Sequence, residues 1–269
     1  MKILVIGGNR FVGKALVEKL FWNYRYNFID VFNRSGTGSE RVRNIIQGNR
    51  NNIDDLKQID FSKYDCIVDM CLFKLEQFNL IKDLIPEDTN YIFVSSGAVD
   101  YIDAFGEYAK DKQEVELALS KTNINYKIVR PSYIVGKGNH RPRLGYFISK
   151  LKNKEIIEID GKGDYPINLV FVQDVVKCII ELVKDRDRTY KTYNICGDKS
   201  ITINELIDLL KFELKVNHHT WEDISEIGEA LFPNQAFEFN NSDIKKDYNI
   251  NFTDLEIGIK EYIKETNGL

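Results

Sequence analysis

Short apolar runs alternate with amphipathic stretches through the first half of the chain. Residues 2–6 form a run typical of a buried strand, and residues 11–22 carry their apolar positions at helical spacing. This alternation is typical of βαβ units, which build a parallel sheet. It predicts further strands at 28–32, 44–47, 66–70, 91–94 and 126–129, and helices at 52–58, 75–85 and 107–119.

The pattern changes after residue 130. Residues 131–154 contain six Lys or Arg residues, no acidic residue and several turn-forming glycines. The run Thr-Ile-Asn-Glu at 202–205 resembles a capping box and predicts the start of a helix. The remaining predicted elements are a pair of strands at 155–159 and 168–171, a helix at 172–184, a strand at 193–196, an aromatic-rich loop at 232–239, and helices at 243–247 and 253–264.

Together these elements predict an α/β fold, a Rossmann-type doubly wound parallel sheet with a smaller C-terminal part that shapes a substrate site. We expect residues 1–132, continued by 168–199, to form the dinucleotide-binding core. We expect residues 133–167 and 200–269 to form the substrate-binding part.

The amino-acid composition excludes several classes of function. The chain has 37 Lys and Arg residues and 41 Asp and Glu residues, which gives a net charge of −4. It therefore lacks the positive field expected of a general nucleic-acid binder. No apolar run approaches the roughly 18 residues of a membrane span, and we expect a cytoplasmic protein without a membrane partner. The cysteines form no CxxC pair and the histidines lack metal-ligand spacing, so we expect neither a disulfide framework nor a metal site. These residues are Cys66, Cys71, Cys178, Cys196, His140, His218 and His219.

A glycine-rich loop follows the first predicted strand and precedes the first helix, which is the context of a dinucleotide fingerprint. Its glycines allow close approach of a pyrophosphate, which would lie at the positive end of the helix. Arg10 stands where the middle glycine is expected, and Arg34 stands where an acidic residue would bind the ribose 2′-hydroxyl. Two arginines at one ribose favour binding of NADP over NAD. The loop could also be a tight turn that binds no ligand, and each arginine could be an ordinary solvated surface residue. The candidate residues are Gly7, Asn9, Arg10, Phe11, Val12, Gly13, Asn33 and Arg34.

A second motif lies on the fourth predicted helix. Tyr108 and Lys112 are one turn apart, where an ammonium would favour the ionised phenol and let it act as a general acid or base. This spacing is also a common chance pattern. Ser96, at the end of the preceding strand, strengthens the catalytic interpretation, because active-site groups gather at the carboxyl ends of parallel strands.

With these motifs the chain resembles the extended, atypical branch of the short-chain dehydrogenase/reductase superfamily, the NAD(P)-dependent epimerase/dehydratase family. The resemblance covers nearly the whole chain, from the glycine loop through Tyr108xxxLys112 to Phe171-Val-Gln-Asp-Val175. It implies a bound nicotinamide cofactor, NADP or NAD, and Ser96, Tyr108 and Lys112 as the catalytic set. Further cofactor contacts are expected from Asn49, Arg130 and Pro131.

The leading hypothesis is an oxidoreductase or epimerase that acts on the hydroxyl of a sugar or nucleotide sugar. Arg141 and Arg143 are candidates for binding a substrate diphosphate, although they could also be surface residues. The alternative is a cofactor-binding regulatory or RNA-binding module of the same fold, supported by the basic segment 131–154 with its interspersed aromatic residues. A homodimer packed through the Tyr108 helix is also expected from the resemblance.

Overall fold

The computed structural model describes residues 1–24, 28–141, 143–187, 190–217, 219–225 and 231–267. The strands within these ranges are β1 Ile3–Ile6, β2 Ile29–Asn33, β3 Asn44–Gln47, β4 Cys66–Asp69, β5 Asn90–Val94, β6 Tyr126–Pro131, β7 Tyr133–Val135, β8 Ile157–Ile159, β9 Pro166–Phe171, β10 Lys191–Ile195, β11 Ser200–Thr202 and β12 Trp221–Asp223. The α-helices are α1 Phe11–Tyr24, α2 Ile53–Lys57, α3 Leu75–Ile81, α4 Ile102–Leu119, α5 Arg143–Asn153, α6 Val172–Lys184, α7 Ile203–Leu214, α8 Ser242–Tyr248 and α9 Leu255–Asn267.

Seven strands form the central sheet, in the order β10-β6-β5-β4-β1-β2-β3. All pairs in it are parallel. The inner strands are buried along their whole length, because helices cover both faces, and this explains their continuous apolar runs. The chain winds outward in both directions from β1 and β4, which opens a crevice at their carboxyl ends. The structure therefore confirms the predicted Rossmann-type α/β fold.

Separate apolar clusters cover the two faces of this sheet. On one face α1 and α6 pack together, with Val12, Leu16 and Leu20 of the predicted α1 stripe buried among valines and isoleucines of α6. On the other face the cluster includes Phe78 of α3 and Val115 of α4. Both helices that border the crevice, α1 and α4, are thus held by buried apolar stripes.

A smaller region is built from the second half of the chain. β9 pairs with β7 in parallel and with β11 in antiparallel, and β8 pairs with β12. An aromatic-rich core with residues from α5 and α7 lies beneath them. Among the described residues, no helix is both long and apolar enough to cross a bilayer.

Several local predictions are confirmed and others are wrong. Helix α6 has the predicted bounds, and the capping box starts α7, with the Glu205 N–H donating to Thr202 Oγ1 and the Thr202 N–H to Glu205 Oε2. The predicted strands at 155–159 and 168–171 do not pair with each other, because each finds another partner. The elements β7, β11, β12 and α5 were not predicted. Helix α4 begins at Ile102, but non-helical Gly106 interrupts it, so its regular part coincides with the predicted helix at 107–119. The division into a cofactor part and a substrate part stays a prediction.

Candidate active site

The glycine loop lies between β1 and α1, as the sequence predicts. Gly13 permits the close contact between helix and loop, because a Cβ at this position would lie 2.3 Å from the carbonyl oxygen of Gly7. Phe11, at the first helical position, has a φ of 38°, a value that is uncommon for a residue with a side chain. Val12 is buried against the sheet and anchors the loop.

Side chains tie this loop to the end of β2. Asn9 Nδ2 donates to Ser35 Oγ at 2.8 Å, and Ser35 Oγ donates to Asn33 Oδ1 at 2.8 Å. The Arg10 and Arg34 side chains, one on each loop, are exposed. The two predicted cofactor-binding loops are therefore joined, and neither guanidinium group has a hydrogen-bond or ion-pair partner among the residues that the structure describes.

Asn49 follows β3 and is exposed at the same edge of the sheet. Its Oδ1 accepts from the N–H of Asn51, and its own N–H donates to Asp55. The next residue, Arg50, is buried and makes two hydrogen bonds to Asp69, of 2.7 and 3.1 Å. The hydroxyl of Tyr91 donates to the same carboxylate at 3.0 Å.

The pairing of Arg50 with Asp69 was not predicted from the sequence. Its members are 19 positions apart and belong to no known spacing motif, and the one available signal was an aspartate that ends an otherwise apolar strand. The pair lies just beneath the crevice, at the carboxyl end of β4.

Two adjacent serines follow β5 and have different environments. Ser96 is half-buried, and its Oγ accepts from the N–H of Ala98, capping a short 3₁₀ turn. Ser95 is buried and donates to Glu116 on α4. Ser96 is thus the serine whose side chain remains accessible from the crevice.

Helix α4 carries the predicted tyrosine and lysine. Gly106 interrupts it with a φ of 53° and a ψ of −132°, so the regular part starts beside Tyr108. A residue with a Cβ would be strained in this conformation. Tyr108 is 44% exposed, whereas Lys112, one turn later, is 2% exposed.

The ammonium of Lys112 is held by backbone oxygen atoms. Its Nζ donates to the carbonyls of Leu72, at 2.7 Å, and Val94, at 3.0 Å. Burial lowers the pKa of Lys112 to about 7, although the carboxylate of Asp69 opposes this shift. Lys112 therefore joins α4 to the ends of β4 and β5.

One turn further, Glu116 binds Arg130 of β6. The Arg130 guanidinium donates to both oxygens of Glu116 and, at 2.9 Å, to Asp100. The predicted contact of Arg130 with the cofactor stays a prediction; each of its three nitrogen atoms already donates to a carboxylate of the protein. The adjacent Pro131 is buried at the end of β6.

Across the crevice, Arg143 begins α5 and Arg141 is exposed in the preceding loop. Arg143 Nη1 donates to the carbonyl of Leu231 at 2.7 Å, and its guanidinium lies 4.3 Å from the centre of the Tyr133 ring. No carboxylate of the described residues pairs with it. Burial lowers the pKa of Arg143 to about 10, while the nearby phenols of Tyr133 and Tyr108 oppose the shift.

The aromatic-rich loop near residues 232–239 closes this side of the crevice. The Phe239 ring packs on the backbone of Gly97, next to Ser96. Tyr101, at the start of α4, donates its hydroxyl to the carbonyl of Glu238 at 2.9 Å. The loop is therefore fixed to the strand end that carries the serines.

The described residues contain no group of three or more His, Cys, Asp and Glu side chains that could hold a metal ion, and His218 lies outside them. The cysteines Cys66, Cys71, Cys178 and Cys196 are free thiols. All except the half-buried Cys71 are fully buried.

Two relatives in other organisms match the sequence. The chloroplast stem-loop binding protein of 41 kDa b from Arabidopsis thaliana is 24% identical over 233 residues, which cover 76% of this chain and 61% of the relative. A Methanocaldococcus jannaschii protein to which UDP-glucose 4-epimerase activity is attributed is 25% identical over 319 residues, covering 97% of this chain and 96% of the relative. The chain thus spans less than two thirds of the chloroplast relative.

Solved structures share the fold. The UDP-glucose 4-epimerase of Thermotoga maritima, determined with UDP-glucose, has a TM-score of 0.79 at 18% identity, over 99% of this chain and 100% of that chain. The dTDP-glucose 4,6-dehydratase of Bacillus anthracis, determined with NAD, has a TM-score of 0.79 at 16% identity, over 100% of this chain and 97% of that chain.

The segment that carries Tyr108, Lys112 and Arg130 also matches a family profile, that of the NAD dependent epimerase/dehydratase family, over residues 98–196. This match covers less than half of the chain, which over nearly its whole length has the fold of the solved epimerase and dehydratase structures.

Proposed function

We propose that the protein is an NAD(P)-dependent oxidoreductase or epimerase that acts on a hydroxyl of a sugar or nucleotide sugar. Ser96, Tyr108 and Lys112 form the proposed catalytic set. The observation that carries the proposal is the bond from Lys112 Nζ to the Val94 carbonyl, two residues before Ser96. It fixes the tyrosine-bearing helix to the strand end that presents the serine.

The residues around the glycine loop fit a dinucleotide. Gly13 lets the glycine loop pack closely against the N-terminus of α1, where a pyrophosphate would bind. Asn9 and Ser35 join this loop to the loop after β2, which would face the ribose. The exposed guanidinium groups of Arg10 and Arg34 support a preference for NADP, because a phosphate adds negative charge that a ribose hydroxyl lacks.

Arg143 is the proposed anchor for an anionic part of the substrate, such as a diphosphate. Its guanidinium has one hydrogen-bond acceptor in the described part of the protein and lies at the N-terminus of an eleven-residue helix, where the helix dipole also favours an anion. The exposed Arg141 lies beside it.

Each catalytic residue has a separate task in this proposal. Ser96 Oγ donates a hydrogen bond to the reacting hydroxyl oxygen, and the Tyr108 phenolate takes the hydroxyl proton. Lys112, one helical turn from Tyr108, would bind the ribose of the nicotinamide cofactor. A nicotinamide cofactor, when bound, supplies the hydride chemistry.

Replacement of Tyr108 by Phe tests the proposal. Turnover of UDP-glucose or dTDP-glucose with NAD or NADP should fall by about 10²–10⁴-fold, because only the proton-transfer group is removed. Cofactor affinity, measured by calorimetry, should stay within a few-fold. The matched control is Tyr190→Phe, since Tyr190 is equally exposed, at 45%, and packs against Tyr126 instead. A Tyr108→Phe variant that keeps more than about a tenth of the wild-type rate would contradict the assignment.

RNA binding is the second candidate function, favoured by the name of the chloroplast relative. Two aromatic rings of segment 131–154, Tyr133 and Phe147, are buried and not free to stack on bases, which weakens this candidate. RNA stem-loop affinity in a protein that binds cofactor but turns over no sugar nucleotide would favour this candidate.

A homodimer packed through α4 and its neighbour α3 remains part of the proposal. Leu117 on α4 is a large apolar residue exposed on the outside of this helix pair. Sedimentation equilibrium of the wild type and of Leu117→Glu tests it. A monomeric wild type would contradict it.

A further inference from the structure

The ammonium of Lys112 is enclosed by four groups. Two are the backbone carbonyls of Leu72 and Val94, and two are aromatic rings. The ring centre of Phe93 lies 4.9 Å from Nζ, and that of Phe73 lies 4.6 Å away. Each ring presents its negative face to a cation at this distance.

Phe73 differs from the other three groups in its freedom to move. The carbonyls belong to backbone at the strand ends, and Phe93 is buried inside β5. Phe73 lies in the loop between β4 and α3 and is 43% exposed. Its backbone is fixed, since its N–H donates to Gln77 Oε1 at 2.8 Å, but its ring can turn about the side-chain torsions without breaking a hydrogen bond.

We propose that the Phe73 ring is a lid over Lys112, which shields the ammonium from water when closed and turns aside when the ribose of a bound nicotinamide cofactor reaches the lysine. The second half of this statement rests on the proposed function. The first half rests only on the enclosure of Nζ.

Solvent exclusion is the largest influence on the charge state of Lys112, and the neighbouring charges act in both directions. The groups that act on it are Asp69 at the end of β4, Cys71 in the loop after β4, Arg50 after β3, and Glu116 on its own helix. The carboxylates favour the ammonium, Arg50 disfavours it, and burial prevails in lowering the pKa of Lys112 to about 7. A sealed amine with this pKa is nucleophilic near neutral pH but inaccessible, so its reactivity reports directly on the lid.

Acylation of the amine tests the lid without any catalytic assay. The protein is exposed briefly to an N-hydroxysuccinimide ester of acetate at pH 7.5, and acetylation of Lys112 is quantified by peptide mass spectrometry relative to the exposed Lys110 on the same helix. We expect Phe73→Ala to raise the Lys112 rate at least about tenfold, and Phe73→Leu, which keeps an apolar cover, to raise it less. Phe212→Ala, which removes an exposed ring on α7, is the matched control and should change nothing.

A second arm adds saturating NAD or NADP to the Phe73→Ala variant. The cofactor should reduce the Lys112 rate toward that of the wild type. An unchanged rate in folded Phe73→Ala without cofactor would overturn the lid. If Phe73→Ala raises the acetylation rate of Lys112 but neither cofactor reduces it, the lid does not open toward a cofactor and Lys112 does not have its proposed role. Shielding of the ammonium by Phe73 would still be established. Circular dichroism verifies that each variant folds. If Phe73→Ala does not fold, the acetylation rates of Phe73→Leu with and without cofactor decide instead.

Discussion

The free energy of unfolding should depend on pH through Lys112, and the variant Lys112→Met isolates this dependence. Burial lowers the pKa of the ammonium from 10.5 to about 7. Between these two values the unfolded chain binds a proton that the folded protein does not, so the stability of the wild type rises with pH in this window. Below pH 7 the folded state bears the full cost of the buried charge. Methionine keeps the length and the apolar stem but does not titrate.

The size of the effect follows from the width of the window. Each pKa unit corresponds to about 1.4 kcal/mol. Raising the pH from 7 to 9 should therefore increase the free energy of unfolding of the wild type by about 2 kcal/mol relative to Lys112→Met. Groups that titrate in both proteins cancel in this difference.

Urea unfolding at pH 7, 8 and 9, at constant ionic strength, measures the difference. Lys110→Met removes an exposed lysine of the same helix and should give a difference independent of pH. A constant difference between the wild type and Lys112→Met over this range would refute the reasoning, because it would mean that the folded protein keeps the proton as firmly as the unfolded chain.

Three further outcomes are expected. Arg10→Ala or Arg34→Ala should weaken NADP binding about tenfold or more and leave NAD binding unchanged in calorimetry, since a charge-assisted hydrogen bond contributes about 1.5–3 kcal/mol; equal losses for both cofactors would contradict the phosphate contact. Gly106→Ala should cost about 1–3 kcal/mol in urea unfolding because of its positive φ, and an unchanged midpoint would contradict the strain. Arg143→Gln should weaken UDP binding about tenfold while Arg141→Gln, at an exposed position, changes it little; equal effects would argue against Arg143 as the anchor.

The central sheet could be predicted because parallel inner strands are apolar along their whole length and alternate with helices. Helix α5 also carried a readable signal, since its buried residues Leu144, Phe147, Ile148 and Leu151 follow helical spacing. The glycines and positive charges of that segment obscured it. The strands β11 and β12 have three residues each, too few for a period to be recognised.

The candidate site was predictable where a motif is local and not where it depends on tertiary contacts. Tyr108 and Lys112 share one helical turn, so their spacing is visible in the sequence. The sequence did not reveal that Arg130 binds Glu116 and Asp100, because these partners are 14 and 30 positions away. The pair of Arg50 and Asp69 escaped prediction for the same reason.

Helix α4 presents three polar groups at intervals of four residues. Tyr108 is exposed, Lys112 binds the loop after β4 and the end of β5, and Glu116 binds β6 through Arg130. One residue inserted or deleted between them would rotate the later part of the helix by about 100° and separate the phenol from both anchors. This segment should therefore tolerate many exchanges on its outer side but no change in length, which is a constraint on how the chain can diverge in evolution.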